Sequence, residues 1–335
     1  MNGSPVWPRR LPADAYIDGI LRGDRVLLAR AITLVESTLA SDEELALEVI
    51  EGCQSHGHQT RRIGITGIPG AGKSTFLEAL GTHLTDTVGE SVAVLSIDPT
   101  SPLSGGSILG DKTRMERLAA SPHAYIRPSP SGGHLGGVAR RTREAMLLCE
   151  AAGFRNVFIE TVGVGQSEIA VRDMVDTFVL LALAGAGDEL QGIKRGITEL
   201  CDLIIVNKAD GDNLSHAQRA RSELEMALHY FSINGDGWHP RVLTCSSRTG
   251  AGIAEAWQTV LDHEVAMKGI GKRQSRRQNQ SLTWMHGVIA SRLLQQFQAN
   301  THVAALLPDL ETAVRDGRMN PFRAAEQLLS QFHRT

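Results

Sequence analysis

A chain of 335 residues with 34 Lys+Arg against 37 Asp+Glu and 42% hydrophobic residues is large and apolar enough to bury a core as one large or two small globular domains, and is neither disordered nor fibrous. The formal net charge of −3 gives no global attraction to nucleic acid or to an anionic membrane surface. The longest apolar run, around Phe178 to Gly187, is far shorter than a bilayer span. No secretion signal is readable in the first residues, and Cys53, Cys149, Cys201 and Cys245 form no C-x-x-C. A cytoplasmic protein with reduced thiols and no nucleic-acid or membrane partner is expected.

Ala15 to about Ile50 carries Ile17, Ile20, Leu21, Leu27, Leu28, Ala31 and Leu34 at helical spacing without a β-branched run, so residues 1–60 are expected as a helical N-terminal region. Short apolar runs then alternate with amphipathic stretches. Strands are predicted at Arg62–Thr66, Val92–Asp98, Ala124–Arg127, Val157–Glu160, Phe178–Ala182, Leu203–Asn207 and Val242–Thr244. Helices are predicted near Ser74–Leu84, Asp111–Ala120, Val138–Ala152, Leu190–Leu200, Leu214–Tyr230 and Ile253–Leu261. Such alternation predicts an α/β domain over 61–263, a mostly parallel sheet with helices on both faces. The polar run from Ala266 to Gln280, with Lys268, Lys272, Arg273, Arg276 and Arg277, reads as a solvated linker. Beyond it, Leu282–Phe297 and Pro321–Phe332 are predicted helices of a C-terminal region, 264–335.

Between the first predicted strand and its helix stands Gly67-Ile68-Pro69-Gly70-Ala71-Gly72-Lys73-Ser74-Thr75, which fits G-x-x-x-x-G-K-[ST] in the context that motif requires. Its glycines let successive N–H groups face phosphate oxygens at a helix N-terminus. Lys73 then reaches the β- and γ-phosphates and the Ser74 hydroxyl can ligate Mg²⁺. The fold expected is a P-loop NTPase with helical extensions at both ends.

Asn207-Lys208-Ala209-Asp210 closes the apolar run Leu203–Val206, on the strand edge that carries the phosphate loop. A carboxylate at Asp210 can accept from guanine N1–H and N2–H₂, a pair that adenine lacks. Ser246 and Ser247, after the next strand, stand where backbone N–H groups can meet the guanine carbonyl. Asp98 and Glu160 end strands facing the phosphate loop, and Asp111 follows the stretch Pro99–Gly110; all three suit Mg²⁺ held directly or through water. Asp111, preceding an amphipathic helix, reads equally well as a cap. Gly163, Gly165 and Gln166 suit a loop that senses the γ-phosphate, and Gln166 is by position a candidate to orient water.

The blocks GIPGAGKST, SIDPTSPLSGGSILGDKTRM, RPSPSGGHLGGVA, FIETVGVGQSE, DELQGIKRG and NKADGDN together resemble the ArgK/MeaB family of P-loop GTPases, over about residues 15 to 335. The resemblance implies GTP/GDP and Mg²⁺ as ligands, with Ser74, Asp98, Asp111 and Glu160 as metal ligands. It implies a homodimer joined through the C-terminal arm, and a chaperone role toward an adenosylcobalamin-dependent acyl-CoA mutase, typically methylmalonyl-CoA mutase. It also implies a switch segment over 185–194 in which Lys194 approaches the nucleotide once the mutase is bound, a role that residue patterning alone does not suggest. Two other readings share the phosphate loop. One is a small-molecule kinase or ATPase, against which Asp210 argues. The other is a metallochaperone GTPase, for which Cys53, His56 and His58 form a C-x₂-H-x-H run that could bind zinc.

Overall fold

A computed structural model describes residues 10–37, 39–54, 56, 59–98, 115–130, 135–161, 167–184, 200–231 and 237–333. Residues 1–280 and 281–335 form two compact units.

The first unit opens with helices α1 (Ala13–Leu21), α2 (Arg25–Val35) and α3 (Ala40–Gln54). Asp24 starts α2 by accepting from the Val26 and Leu27 N–H groups at 2.8 and 3.0 Å, satisfying two donors that a helix leaves orphaned. Tyr16, Ile20, Leu28, Ile32 and Val49 bury the common face of the three helices.

Seven strands follow: β1 (Arg61–Gly67), β2 (Val92–Asp98), β3 (Ala124–Pro130), β4 (Asn156–Glu160), β5 (Thr177–Leu183), β6 (Leu203–Asn207) and β7 (Arg241–Thr244). They form one sheet in the order β3-β2-β4-β1-β5-β6-β7, with every pairing parallel. Strands buried on both faces read as mainly apolar runs, as in β2, β5 and β6. On one face Ile63, Ile65, Phe158, Val179, Leu203 and Ile205 pack with Phe76 and Leu77 of α4 (Lys73–His83) and Trp257 of α9 (Ile253–Gly269). On the other, Leu95, Ile159, Phe178 and Val206 pack with the N-terminal helices, α6 (Leu135–Ala151) and α8 (Leu214–Phe231). Two short helices, α5 (Glu116–Ala120) and α7 (Ser167–Arg172), add to the covering. Of the helix expected over 190–200, all but Leu200 lies outside the described residues.

The predicted linker is overturned. Helix α9 continues to Gly269, and α10 (Lys272–Ala299) begins almost at once. Arg277 Nη2 donates to Thr60 O at 2.7 Å and Arg273 Nη2 to the same carbonyl at 2.8 Å. Arg276 donates to Asp176 O, and Gln280 Nε2 to Val175 O at 2.8 Å. Asp176 and Asp202 stand buried just before β5 and β6, and a carboxylate removed from water there needs cations. The arginines of the polar run supply them.

In the second unit, α11 (Thr301–Arg315) and α12 (Pro321–Phe332) pack around Val303, Leu310, Ala324 and Leu328. Asn300 and Asn320 cap these helices, the latter before Pro321 at the first helical position. The α11 helix, with Pro308 inside it, was not predicted. No helix among the described residues is long and apolar enough to cross a membrane.

Candidate functional site

The site lies at the carboxyl edge of the sheet, where β1 runs between β4 and β5 and the strand order reverses, the place where open α/β sheets bind ligands. Here β1 ends at Gly67 and α4 begins at Lys73. A Cβ at Gly67 would stand 2.4 Å from the Leu181 carbonyl oxygen, and one at Gly72, whose φ is +87°, would stand 2.8 Å from Asn207 Nδ2. Glycine is required at both positions by close approach as well as by backbone conformation. The buried Lys73 ammonium donates to Gly67 O at 2.8 Å and Ile68 O at 3.3 Å, so the cation already lies over the turn that would receive phosphate.

Ser74 follows it in the first turn of α4 and donates to Glu160 Oε1 at 3.0 Å. Glu160 ends β4, and its other oxygen accepts from Ser96 Oγ, on β2, at 3.2 Å. A hydroxyl and a carboxylate converging beside a phosphate loop form a hard oxygen donor set, which suits Mg²⁺. Asp98 closes β2 two residues beyond Ser96. Asp111, Gln166, Gly163, Gly165 and Lys194 lie outside the described residues.

Behind the loop a chain of hydroxyls crosses the opposite face of the sheet. Thr161 Oγ1 donates to Thr66 Oγ1 at 2.9 Å, and Thr66 Oγ1 to Glu168 Oε1 of α7 at 3.3 Å. Ser96 and Glu168 lie within the quoted family blocks but carry no assigned role there, and Thr66 is not singled out in the sequence. A serine or threonine inside an apolar strand carries no motif, and only the register reveals its neighbour.

Asn207 joins the phosphate loop to the loop of Asp210 and Ser247, where the sequence places the base. Its Nδ2 donates to Ala71 O at 2.9 Å, while its Oδ1 accepts from Ser247 N at 3.2 Å, Ser247 Oγ at 2.8 Å and Cys245 Sγ at 3.3 Å. Burial pushes the Cys245 thiol up to about 12, against the pull of Ser247, so it stays an S–H donor. Lys208 adopts a left-handed φ of 60°, and Asn213 Nδ2 donates to its carbonyl at 2.8 Å. Asp210 accepts from Ser246 Oγ and from Arg248. The Ser246 N–H is used within the loop, donating to Ala251 O at 2.9 Å. In this arrangement the two serines brace Asn207 and Asp210.

Cys53, on α3, is fully buried and its thiol is raised to about 11 by desolvation. His58 lies outside the described residues, and no group of three metal-binding side chains occurs among those described.

Parallel sheet, phosphate loop at its carboxyl edge and a second loop tied to it through Asn207 define the class: a P-loop nucleotide-binding α/β protein. The family described as methylmalonyl Co-A mutase-associated GTPase MeaB matches residues 28–302. The chain is 51% identical over 322 residues to a putative GTPase of Caulobacter vibrioides, covering 96% of this chain and 98% of that protein. To GTPase ArgK of Escherichia coli it is 47% identical over 314 residues, covering 94% of each. To the mitochondrial methylmalonic aciduria type A homolog of Mus musculus it is 45% identical over 329 residues, covering 95% of this chain and 79% of that protein. The crystal structure of a LAO/AO transport system kinase matches with a TM-score of 0.75 and 39% identity over 98% of this chain and 100% of that chain. The chain belongs to the MeaB/ArgK family of P-loop GTPases.

Proposed function

We propose that this GTPase binds GTP and GDP with Mg²⁺ and acts as a chaperone for an adenosylcobalamin-dependent acyl-CoA mutase, the partner being methylmalonyl-CoA mutase. The observation that carries the nucleotide half of this reading is the bond from Asn207 to Ala71 O. It makes the loop that cradles phosphate and the loop that holds Asp210 one body, so that base identity and phosphate position are read together.

In this mechanism the backbone of Gly67–Thr75 and the Lys73 ammonium cradle the phosphates, the ammonium exchanging its bonds to Gly67 O and Ile68 O for phosphate oxygens. Mg²⁺, when bound, neutralises charge on the β- and γ-oxygens. Ser74, Glu160, Asp98 and Asp111 are its proposed holders, and Asp210 selects guanine. Lys194 and Gly163–Gln166 are assigned to the switch that a partner completes. Slow turnover by the free chain is then expected, because the catalytic arrangement is incomplete without the partner.

Residues 61–263 are assigned to the GTPase domain, 1–60 to a helical region packed on it, and 264–335 to a dimerisation arm. A homodimer is supported by the stripe Leu282, Met285, Ile289 and Leu293 on α10, spaced at three and four residues and each about half exposed. Four buried free thiols fit a reducing compartment, here the cytoplasm.

The test is GTP turnover by the purified chain with and without methylmalonyl-CoA mutase from the same organism. Stimulation of several-fold, lost in Lys194→Ala with GDP affinity kept, is expected. Unchanged turnover in the presence of the mutase counts against the partner and leaves the GTPase standing; stimulation that survives Lys194→Ala removes that lysine from the switch.

A further inference from the structure

We infer that Ser96 is a positioning residue for Glu160, fixing that carboxylate in the orientation from which it supports a nucleotide-bound cation. The inference rests on the Mg²⁺ reading of the site and gives a role to a residue that opens the block SIDPTSPLSGGSILGDKTRM but had none.

Ser96 lies on β2 in direct register with Glu160 on β4. Both side chains stand on the face of the sheet that α4 covers, since Val94 and Phe158, two residues before each, belong to the core beneath that helix. The two carboxylate oxygens have separate duties. Oε1 accepts from Ser74 of the phosphate loop at 3.0 Å, and Oε2 accepts from Ser96 at 3.2 Å. A carboxylate tied at one oxygen can still swing about its last torsion, which is broad and two-fold. Tied at both, it holds one plane. Ser96 is 2% exposed and Glu160 6%, so bulk water cannot stand in for a missing hydroxyl without opening the strand ends.

An alanine at 96 keeps the strand and the backbone register and removes the Ser96 donor to Oε2. The Glu160 oxygen then loses a buried partner, and the Ser74–Glu160 pair loses its fixed geometry. Hydrogen-bond partners behind metal-supporting side chains commonly change metal affinity by about 10–100-fold when removed. By contrast, Ser96 touches no group assigned to the base or to the phosphate cradle. The effect is therefore confined to the cation-dependent part of nucleotide binding.

The experiment is a GDP titration of the full chain in EDTA and at increasing Mg²⁺, for wild type, Ser96→Ala and Ser96→Cys, with thermal unfolding of each. Expected is the same GDP affinity in EDTA for all three, with about tenfold more Mg²⁺ needed in Ser96→Ala to reach the half-maximal gain in affinity. Ser96→Cys, close in size but a weak donor, should shift the midpoint the same way, which guards against an alanine variant that fails to fold. A wild-type Mg²⁺ midpoint in both folded variants overturns the assignment while the metal reading stands. A loss of GDP affinity already present in EDTA overturns it too, because the defect is then in the phosphate loop. If wild-type GDP affinity is itself indifferent to Mg²⁺, the metal reading fails and this assignment with it.

Discussion

Arg277 holds the Asp176 carboxylate with both arms of its guanidinium, Nε to Oδ1 at 2.8 Å and Nη2 to Oδ2 at 2.6 Å. The two residues are 101 positions apart in sequence, and their pairing turns a basic stretch that looks solvated into the brace beneath β1 and β5. Both side chains are mostly buried, at 19% and 11% exposure.

Removing Arg277 takes the two-armed cation from a buried carboxylate and leaves it, among the described residues, only Arg273 at 3.5 Å and the Arg62 N–H. Arg277→Ala is therefore expected to lower the unfolding free energy by about 3 kcal/mol. Arg277→Lys should recover only part of this, since an ammonium cannot reproduce the two-armed contact. Urea unfolding of the three proteins checks it, and a loss within about 0.5 kcal/mol for the alanine variant would show the brace to be a surface pair in effect.

Acid should find the same region. Burial alone would raise Asp176, but the hydrogen bonds and charge of Arg277, with Arg273 and Arg62, hold it below the usual carboxylate range. Asp202 is also driven up by burial and pulled well below that range by His263 at 3.5 Å, Arg172 and Arg276. With folded values depressed, the unfolded chain takes up protons first as pH falls through about 4. The stabilisation these groups give is thus present above that pH and is lost progressively below it. Unfolding midpoints measured between pH 7 and pH 3 should decline in this window, and less steeply in Asp202→Asn. Equal slopes for wild type and variant would acquit Asp202.

The parts of the molecule that sequence reveals are those whose signal is local. Leu203–Asn207 and Val92–Asp98 are legible because a doubly covered parallel strand is a mainly apolar run, and their predicted and observed limits coincide. The phosphate loop is likewise a contiguous string. What escaped depends on distant partners. Nothing near Arg273, Arg276 or Arg277 announces Asp176 and Asp202, and Ser96 acquires meaning only when the register sets it beside Glu160. Helix α11 was missed because Pro308 sits within it, where proline usually ends a helix.

Gly72 tests how tightly the two loops are joined. Alanine there must hold φ near +87° and place its Cβ 2.8 Å from Asn207 Nδ2, the atom that donates to Ala71 O. The strain is of order 1–3 kcal/mol, and it falls on the bond that connects phosphate loop to base loop. Gly72→Ala should lose at least about tenfold in GDP affinity, which is about 1.4 kcal/mol, with the fold retained by circular dichroism. Full affinity in this variant would mean that the Asn207 bond is dispensable for binding.

Asp210 is the sharpest test of base choice. Its carboxylate accepts from Ser246 Oγ and Arg248, and a carboxylate offers acceptors only. Guanine presents two donors, N1–H and N2–H₂, whereas xanthine carries a carbonyl in place of the N2 amine. Asp210→Asn puts one donor and one acceptor where two acceptors stood. Guanine then faces an N–H with no acceptor to meet it, while xanthine finds a match at both positions. Sites that hydrogen-bond a substrate group discriminate against its absence by on the order of 10⁴, so even partial expression should shift the preference by about two orders of magnitude. Displacement of a fluorescent guanine nucleotide by GTP, XTP and ATP measures it. Wild type should be displaced by GTP alone, and Asp210→Asn chiefly by XTP. A variant that still prefers GTP would put guanine recognition on other atoms and withdraw Asp210 from the base site.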